Sequence, residues 1–161
     1  MEIRKTRIED LDAIMEIYAG ARALMAKNGN PTQWGDHYPA KDLLLEDIAS
    51  GISYVAEQDG EIEVVFVYFI GEDPTYQLIE NGDWLNKDAY GVIHRIASKG
   101  KIKGSGAQCI RWGFEQCGNL KIDTHHDNKA MQHVLEKNGF VKCGRIYADD
   151  GTPRIAYQRA Q

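Results

Sequence analysis

The chain has 161 residues, 43% of them hydrophobic and 27% charged, which is the composition of one soluble globular domain spanning residues 1–161. Its formal net charge of −5 excludes the broad basic surface that nucleic acid or an anionic membrane requires. The longest apolar run, Val64 to Ile70, is far shorter than the ~18 residues that a membrane-spanning helix needs.

The amino terminus and the cysteines both indicate a cytoplasmic protein. The opening residues, MEIRKTRIED, carry charges where a secretion signal would need an apolar run. Cys109, Cys117 and Cys143 are an odd number of cysteines without the spacing of metal ligands. We therefore expect reduced thiols and no bound metal.

The first half of the chain predicts a strand, two helices and a hairpin. A strand over residues 2–5 is followed by the apparent capping box Thr6 to Glu9, and apolar residues at helical spacing then predict a helix from Leu11 towards Asn28. A shorter helix follows over residues 41–49. Strands over 52–58 and 61–70 are joined by Asp59-Gly60, the strongest two-residue hairpin signal.

The second half adds four strands and two helices. An irregular stretch, 71–90, precedes a strand over 91–98, a glycine-containing loop and a helix that ends near Gly118. A strand over 120–125, a helix capped by Asp127 or Asn128, and a closing hairpin, 140–147 with 154–159, complete the chain. The predicted fold is α/β, with the order βααβββαβαββ.

The segment KGKIKGSGAQ, residues 99–108, is a candidate phosphate-binding loop. Helix N-termini attract anions, glycine lets backbone approach a ligand closely, and Lys99, Lys101 and Lys103 form a local basic exception on an acidic protein. An ordinary strand-to-helix turn that uses glycine for its geometry explains the same residues equally well.

Two other phosphate-loop families fit this segment less well. A dinucleotide-binding loop would need a third glycine where Cys109 stands, although Asp123 lies about where a ribose-binding acid would be. A nucleoside-triphosphate loop would need the sequence G-K-[ST], which is absent.

Two blocks of sequence resemble the GNAT superfamily of N-acetyltransferases. Lys101 to Gly106 resembles its acetyl-CoA loop, [QR]-x-x-G-x-[GA], with lysine in the first position. Asp127 to Phe140 resembles the family's N-x-x-A-x-x-x-Y-x-K-x-G-F segment, in which Asn128, Lys137 and Gly139-Phe140 align. Both blocks stand in the family's order and spacing.

The resemblance implies a mixed, mostly antiparallel central sheet of about seven strands flanked by about four helices. It further implies that acetyl-CoA lies between the strands 91–98 and 120–125 and that an amine attacks the thioester directly. The residues implied to contact the cofactor are Ile96, Ala97, Ser98, Lys101, Ile102, Lys103, Gly104, Ser105, Gly106, Ala107, Asn128 and Lys137. Backbone N–H groups near Ile96 or Ala97 would stabilise the oxyanion.

The acid and the base of such a reaction are harder to assign. An alkylammonium acceptor has a pKa near ~10.4 and needs a base, for which His94, Asp123 and His125 are candidates. A core position is the more frequent role of a residue such as His94, and His125 could simply be a polar residue at the end of a strand. The tyrosine that often protonates the leaving thiolate is replaced by Leu135, so Tyr147 or water would supply that proton.

Aromatic residues in two loops are candidates for contacts with the acceptor. Trp34 and Tyr38, with Tyr76 and Trp84, would form walls for a cationic amine, either a small molecule or a peptide amine. Each tryptophan alone is more simply explained as packing its loop onto the core. The closing hairpin offers an edge strand, which is compatible with a homodimer.

The sequence therefore favours an acetyl-CoA-dependent N-acetyltransferase. Two alternatives stay open, namely a catalytically silent acyl-CoA-binding module, suggested by Leu135, and a Rossmann-like nucleotide-binding domain that would use Asp123.

Overall fold

The computed structural model describes all of residues 1–161, and its elements follow the predicted order. The strands are β1 (Glu2–Lys5), β2 (Ser53–Gln58), β3 (Glu61–Ile70), β4 (Gly91–Ser98), β5 (Asn119–Thr124), β6 (Val141–Tyr147) and β7 (Pro153–Ala160). The helices are α1 (Leu11–Lys27), α2 (Lys41–Ala49), α3 (Ser105–Cys117) and α4 (Lys129–Lys137). No helix among them has the length and apolarity that crossing a lipid bilayer would demand.

The strands form one seven-stranded sheet in the order β1-β2-β3-β4-β5-β7-β6. The pairs β1–β2, β2–β3, β5–β7 and β6–β7 are antiparallel. β4 and β5 are parallel and are in register at only two pairs, Gly91 with Leu120 and Val92 with Lys121. The prediction of a mixed, mostly antiparallel sheet is confirmed.

The hairpin between β2 and β3 turns at the two predicted residues. Asp59 has φ of 55° and Gly60 has φ of 81°, the left-handed pair that a tight two-residue hairpin turn requires. Aspartate and glycine adopt this conformation at low cost, so this short sequence specifies the register of both strands.

The residues group into two compact units, each with its own apolar core. The first unit is Met1–Tyr68 with His94–Cys109, and the second is Phe69–Ile93 with Ile110–Gln161. The core of the first unit contains Ile14, Ile17, Tyr18, Leu44, Val55, Val65 and Ala97. The core of the second contains Tyr76, Tyr90, Val92, Ile146 and Ala156.

The predicted capping box at Thr6 is wrong. The Thr6 hydroxyl is buried and lies 2.7 Å from the Ser53 Oγ, so β2 occupies the group that would have capped the helix. Arg7 is the capping residue instead. It precedes a short 3₁₀ turn, Ile8–Asp10, that leads into α1, and its N–H donates to Asp10 Oδ2 at 2.7 Å. Tertiary pairing with β2 therefore overrides the local motif.

Candidate functional site

The loop between β4 and α3, residues 99–104, is called the glycine loop below. Gly104 has φ of +76°, which favours glycine, and a Cβ added at Gly104 or Gly106 would meet no atom within 4 Å. Open space therefore lies beside the backbone at both positions, as a ligand that approaches the main chain needs.

Several backbone N–H groups at the start of α3 have no acceptor among the backbone carbonyls. The first bond of helical spacing joins the Gln108 N–H to the Gly104 carbonyl at 3.0 Å. The N–H groups without a backbone acceptor are those of Lys103, Gly104, Gly106 and Ala107. These four N–H groups at a helix N-terminus are therefore the donors that could bind an anion.

The lysines of the loop differ in their surroundings. The Nζ atoms of Lys99 and Lys101 lie 3.8 and 3.4 Å from the Glu61 carboxylate of β3. Lys103 is exposed and forms no ion pair. The positive charge predicted for the loop is therefore partly balanced by an acidic neighbour.

Glu63, also on β3, is buried directly against the glycine loop. Its Oε2 accepts hydrogen bonds from the Ile102 N–H at 3.1 Å and from the Ser105 hydroxyl at 3.2 Å. Its backbone carbonyl accepts from the Lys99 N–H at 2.7 Å. A single residue thus binds the beginning and the middle of the loop and the first residue of α3.

In β4, Arg95 has a left-handed backbone conformation, with φ of +50°. Its guanidinium forms a bidentate ion pair with the buried Asp47 of α2, at 2.8 and 2.9 Å, and the Tyr18 hydroxyl donates to its carbonyl at 2.7 Å. A non-glycine residue persists in this conformation only when its surroundings hold it there. Burial raises the pKa of the Asp47 carboxyl, and Arg95 acts against that shift.

The left-handed turn at Arg95 interrupts the simple alternation of β4. His94, Arg95 and Ile96 are all half-buried, Ala97 is buried and Ser98 is exposed. In a regular strand, side chains alternate between the two faces of the sheet. Arg95 breaks this alternation in the middle of β4, so counting residues from Ile93 does not tell which face each later side chain occupies.

In the second unit, Asp123 of β5 lies near the buried Tyr76. Burial raises the pKa of the Tyr76 hydroxyl well above its usual value, and the charge of Asp123 raises it further. This places a half-buried carboxylate beside a phenol that stays protonated.

His125 lies just after β5 and is bound by the chain that follows it. Its Nδ1 accepts a hydrogen bond from the Asp127 N–H at 3.0 Å, so the neutral ring carries its proton on Nε2. Burial lowers the pKa of His125, and the charge of Arg154 lowers it further. Potential metal-ligand atoms of His125, His126 and Asp127 lie within 4.8 Å of one another, but the positive charge of Arg154 disfavours a cation there.

Among the remaining predicted residues of the second unit, Tyr147 and Asn128 have identifiable structural contacts. Tyr147 donates to Glu80 Oε1 at 2.7 Å, and this hydrogen bond raises the pKa of the phenol. Asn128 caps α4 by accepting from the Met131 N–H at 3.0 Å, the structural role considered above. Lys137 is exposed, and Leu135 is completely buried.

The predicted acceptor aromatics of the first unit lie next to Arg95. Trp34 is half-buried, packs against the core and makes an edge contact with Tyr18 at a centroid distance of 5.6 Å. Tyr38 is 41% exposed, and its hydroxyl accepts from Arg95 at 3.3 Å. We call Tyr18, Trp34, Tyr38, Asp47 and Arg95 the Arg95 cluster.

Of the two predicted acceptor aromatics of the second unit, Tyr76 and Trp84, the second lies against a lysine. Trp84 donates through Nε1 to the Tyr76 carbonyl at 2.9 Å, and the two rings lie 5.2 Å apart. The buried Lys121 places its Nζ 4.2 Å from the Trp84 ring and 3.8 Å from the Tyr90 ring. We call Tyr76, Trp84, Tyr90 and Lys121 the Lys121 cluster, in which the protein's own cation occupies the aromatic faces.

The sequence interpretation missed Asp47, Glu63, Arg95 and Lys121, although each left a signal. Glu63 and Lys121 each stand between two apolar residues of a strand, and Arg95 lies two residues after the apolar pair Val92-Ile93. Asp47 stands at helical spacing from the core residue Leu44. A charge on a buried face requires a partner, so these positions could have been singled out.

Comparison with known proteins agrees with this geometry. A model of the acetyltransferase (GNAT) domain matches residues 1–141. The chain belongs to the GNAT acetyltransferase family. As a GNAT protein, this chain is an acetyltransferase, and the predictions of family and enzyme class are confirmed.

Solved GNAT structures resemble the chain over nearly its full length. The GNAT family acetyltransferase from Streptococcus agalactiae 2603 is 34% identical, with 99% of this chain and 95% of that chain covered and a TM-score of 0.88. The ribosomal-protein-alanine N-acetyltransferase from Brucella melitensis is 16% identical, with complete coverage of both chains and a TM-score of 0.65.

A third structure, yncA from Salmonella typhimurium, contains its cofactor acetyl-CoA. It is 17% identical, with 99% of this chain and 92% of that chain covered and a TM-score of 0.64. At these identities, the second and third comparisons show a shared fold. The sequence has no significant match among curated proteins.

Proposed function

We propose that this GNAT enzyme transfers an acetyl group from acetyl-CoA to a primary amine, on a small molecule or a peptide, by direct attack in a ternary complex. The observation that carries the proposal is the set of N–H groups without a backbone acceptor, those of Lys103, Gly104, Gly106 and Ala107, beside the open backbone at Gly104. These donors fit a pyrophosphate, and exposed lysines add positive charge.

Acetyl-CoA supplies an activated thioester. In this proposal, the backbone from Ile96 to Ser98 binds the pantetheine arm, and an N–H of Ile96 or Ala97 donates to the thioester oxygen as negative charge develops. Support comes from Arg95, which precedes these residues. Its backbone is held by Tyr18 and its side chain by Asp47, so the N–H groups that follow it are preorganised.

We assign the base to Asp123 or His94 in preference to His125. The Nδ1 of His125 already accepts the Asp127 N–H, so the neutral ring has its proton on Nε2 and presents a donor there. Asp123 is half-buried and carries a carboxylate next to Tyr76. Comparing the pH dependence of turnover for Asp123→Asn and His94→Ala distinguishes the two.

Tyr147 is the proposed proton donor to the leaving thiolate, since Leu135 fills the usual tyrosine position. Its hydroxyl donates to Glu80 and this bond raises the pKa of the phenol, so the proton has to leave Glu80 when the thiolate accepts it. Tyr147→Phe is expected to lower turnover with little change in CoA affinity.

The decisive experiment combines thiol release from acetyl-CoA with a thermal-shift titration using CoA and NAD. The acceptors are polyamines, amino acids, aminoglycosides and short peptides. Release with one acceptor class supports the proposal and identifies the substrate class. CoA stabilisation without any release would favour the silent binding module, and stabilisation by NAD alone would contradict the proposal.

Three further predictions rest on general features of the chain. A homodimer stays a prediction that sedimentation analysis would test, and the edge strand β6 is already bridged at Arg145 by the backbone of Glu80. A cytoplasmic location and independence from metal stay predictions.

A further inference from the structure

Two carboxylates at alternate positions of β3 contact the glycine loop in different ways. Glu61 is 61% exposed and lies beside the ammonium groups of Lys99 and Lys101. Glu63 is 3% exposed and contacts the loop through hydrogen bonds. Simple electrostatics would predict that both repel a phosphate.

We propose that these carboxylates have opposite effects on CoA binding: Glu63 positions the loop for CoA, whereas Glu61 competes with CoA for the lysines. This inference rests on the proposed function, because it takes CoA as the ligand of the loop.

The positioning role follows from where Glu63 binds the loop. Its carboxylate accepts from Ile102 and from Ser105, the residues that flank Lys103 and Gly104. The flanking residues are therefore held by a buried side chain, while the N–H groups between them have no backbone acceptor. Donors held in this way require little ordering when an anion binds.

The competing role follows from the distances at Glu61. Its Oε2 lies 3.4 Å from the Lys101 Nζ and 3.8 Å from the Lys99 Nζ. A bound pyrophosphate would have to draw both ammonium groups away from this carboxylate. Since the pairs are exposed, the competition is weak and is screened by salt.

A cleft of about 240 Å³ beside the loop is also acidic. Its lining residues are Gln58, Asp59, Glu61, Glu63, Lys101 and Ile102. Three carboxylates face it, so this side of the loop disfavours an anion. Asp59 offers a matched control for Glu61, because it is exposed, lines the same cleft and forms no ion pair with the lysines.

The test is calorimetric titration of CoA into the full-length chain at low and high salt. We expect Glu61→Gln to tighten binding about two- to five-fold at low salt and to have little effect at high salt. Asp59→Asn should have a smaller effect. An unchanged or weaker affinity for Glu61→Gln at low salt would contradict the competing role.

For Glu63, the informative comparison is between alanine and glutamine. Glu63→Ala leaves the Ile102 N–H and the Ser105 hydroxyl without their acceptor, and we expect it to weaken CoA binding about ten-fold or more. Glu63→Gln retains an oxygen for the Ile102 N–H and should lose less affinity. If both variants tighten binding, Glu63 acts as a simple negative charge and the positioning role is wrong.

Ser105→Ala and hydrogen exchange guard against a folding defect in Glu63→Ala. Ser105→Ala removes one of the two bonds and should weaken CoA binding about three-fold. Without ligand, Glu63→Ala should accelerate amide exchange at Ile102 at least about ten-fold, whereas Glu61→Gln should not. If the wild-type chain shows no CoA binding, the proposed function fails, and unchanged exchange at Ile102 overturns the positioning role independently.

Discussion

The Arg95 cluster and the Lys121 cluster contain similar residues but stabilise their cations differently. Each has a half-buried tryptophan, tyrosines and a positive charge within a strand. Arg95 is paired with the buried carboxylate of Asp47 at 2.8 Å. Lys121 forms no ion pair and lies over two aromatic rings instead.

This difference determines how much stability each cluster loses when one interaction partner is removed. A buried ion pair is costly to break because the remaining charge is left without compensation. A cation over aromatic faces leaves no buried opposite charge behind when it is removed, and the carboxylates that act on Lys121, Asp83 and Glu72, are exposed. Burial also lowers the pKa of Lys121, which shows that its surroundings stabilise the charge incompletely.

The largest expected effect is that of Asp47→Asn. The substitution leaves Arg95 buried without its carboxylate and should lower the free energy of unfolding by about 3 kcal/mol. Chemical denaturation measures the change. Asp42→Asn, at an exposed position of α2, is the control and should cost less than about 0.5 kcal/mol. Equal losses in both variants would show that the ion pair contributes nothing particular.

The same substitution in both clusters tests the comparison directly. Arg95→Met leaves Asp47 buried and unpaired, so it should cost about 2 kcal/mol more than Lys121→Met. Lys121→Met keeps an unbranched side chain against the two rings and should cost no more than about 1 kcal/mol. Equal losses measured by denaturation would mean that the two cations are stabilised alike.

A smaller effect should appear in the backbone at Arg95. Arg95→Gly and Arg95→Ala both lose the ion pair, but alanine also has to adopt φ of +50°. We therefore expect the glycine variant to be about 1 kcal/mol more stable than the alanine variant. In a regular strand an alanine variant is more stable than a glycine variant. If Arg95→Ala is the more stable of the two, residue 95 does not have to adopt the left-handed conformation.

The smallest effect concerns pH and the second unit. Burial lowers the pKa of His125, so the unfolded chain binds a proton more readily than the folded chain. Stability should therefore decrease as pH falls below the unfolded pKa of about 6.5, and the decrease should end below the folded pKa. His125→Gln should flatten this part of the profile of unfolding free energy against pH, with His133→Gln, at an exposed position of α4, as the control. A profile unaltered by His125→Gln would contradict the assigned shift.

Much of the fold could be predicted from local patterns. Asp59-Gly60 specified a hairpin, helical spacing specified α1, and Asn128, one of the two residues predicted for this position, caps α4. These signals work because they depend on nearby residues alone. Thr6 shows their limit, because its hydroxyl contacts Ser53, forty-seven positions away.

Some features of the glycine loop follow from its local sequence, and others depend on distant residues. The sequence by itself determined its glycines, its lysines and its place between a strand and a helix, because backbone freedom and charge are properties of the residue type. Only the tertiary structure decided that Glu61 partly balances the positive charge of the lysines and that the buried Glu63 accepts hydrogen bonds from the loop. These contacts join residues about forty positions apart, and no local pattern encodes which distant carboxylate a folded strand will bring to a loop.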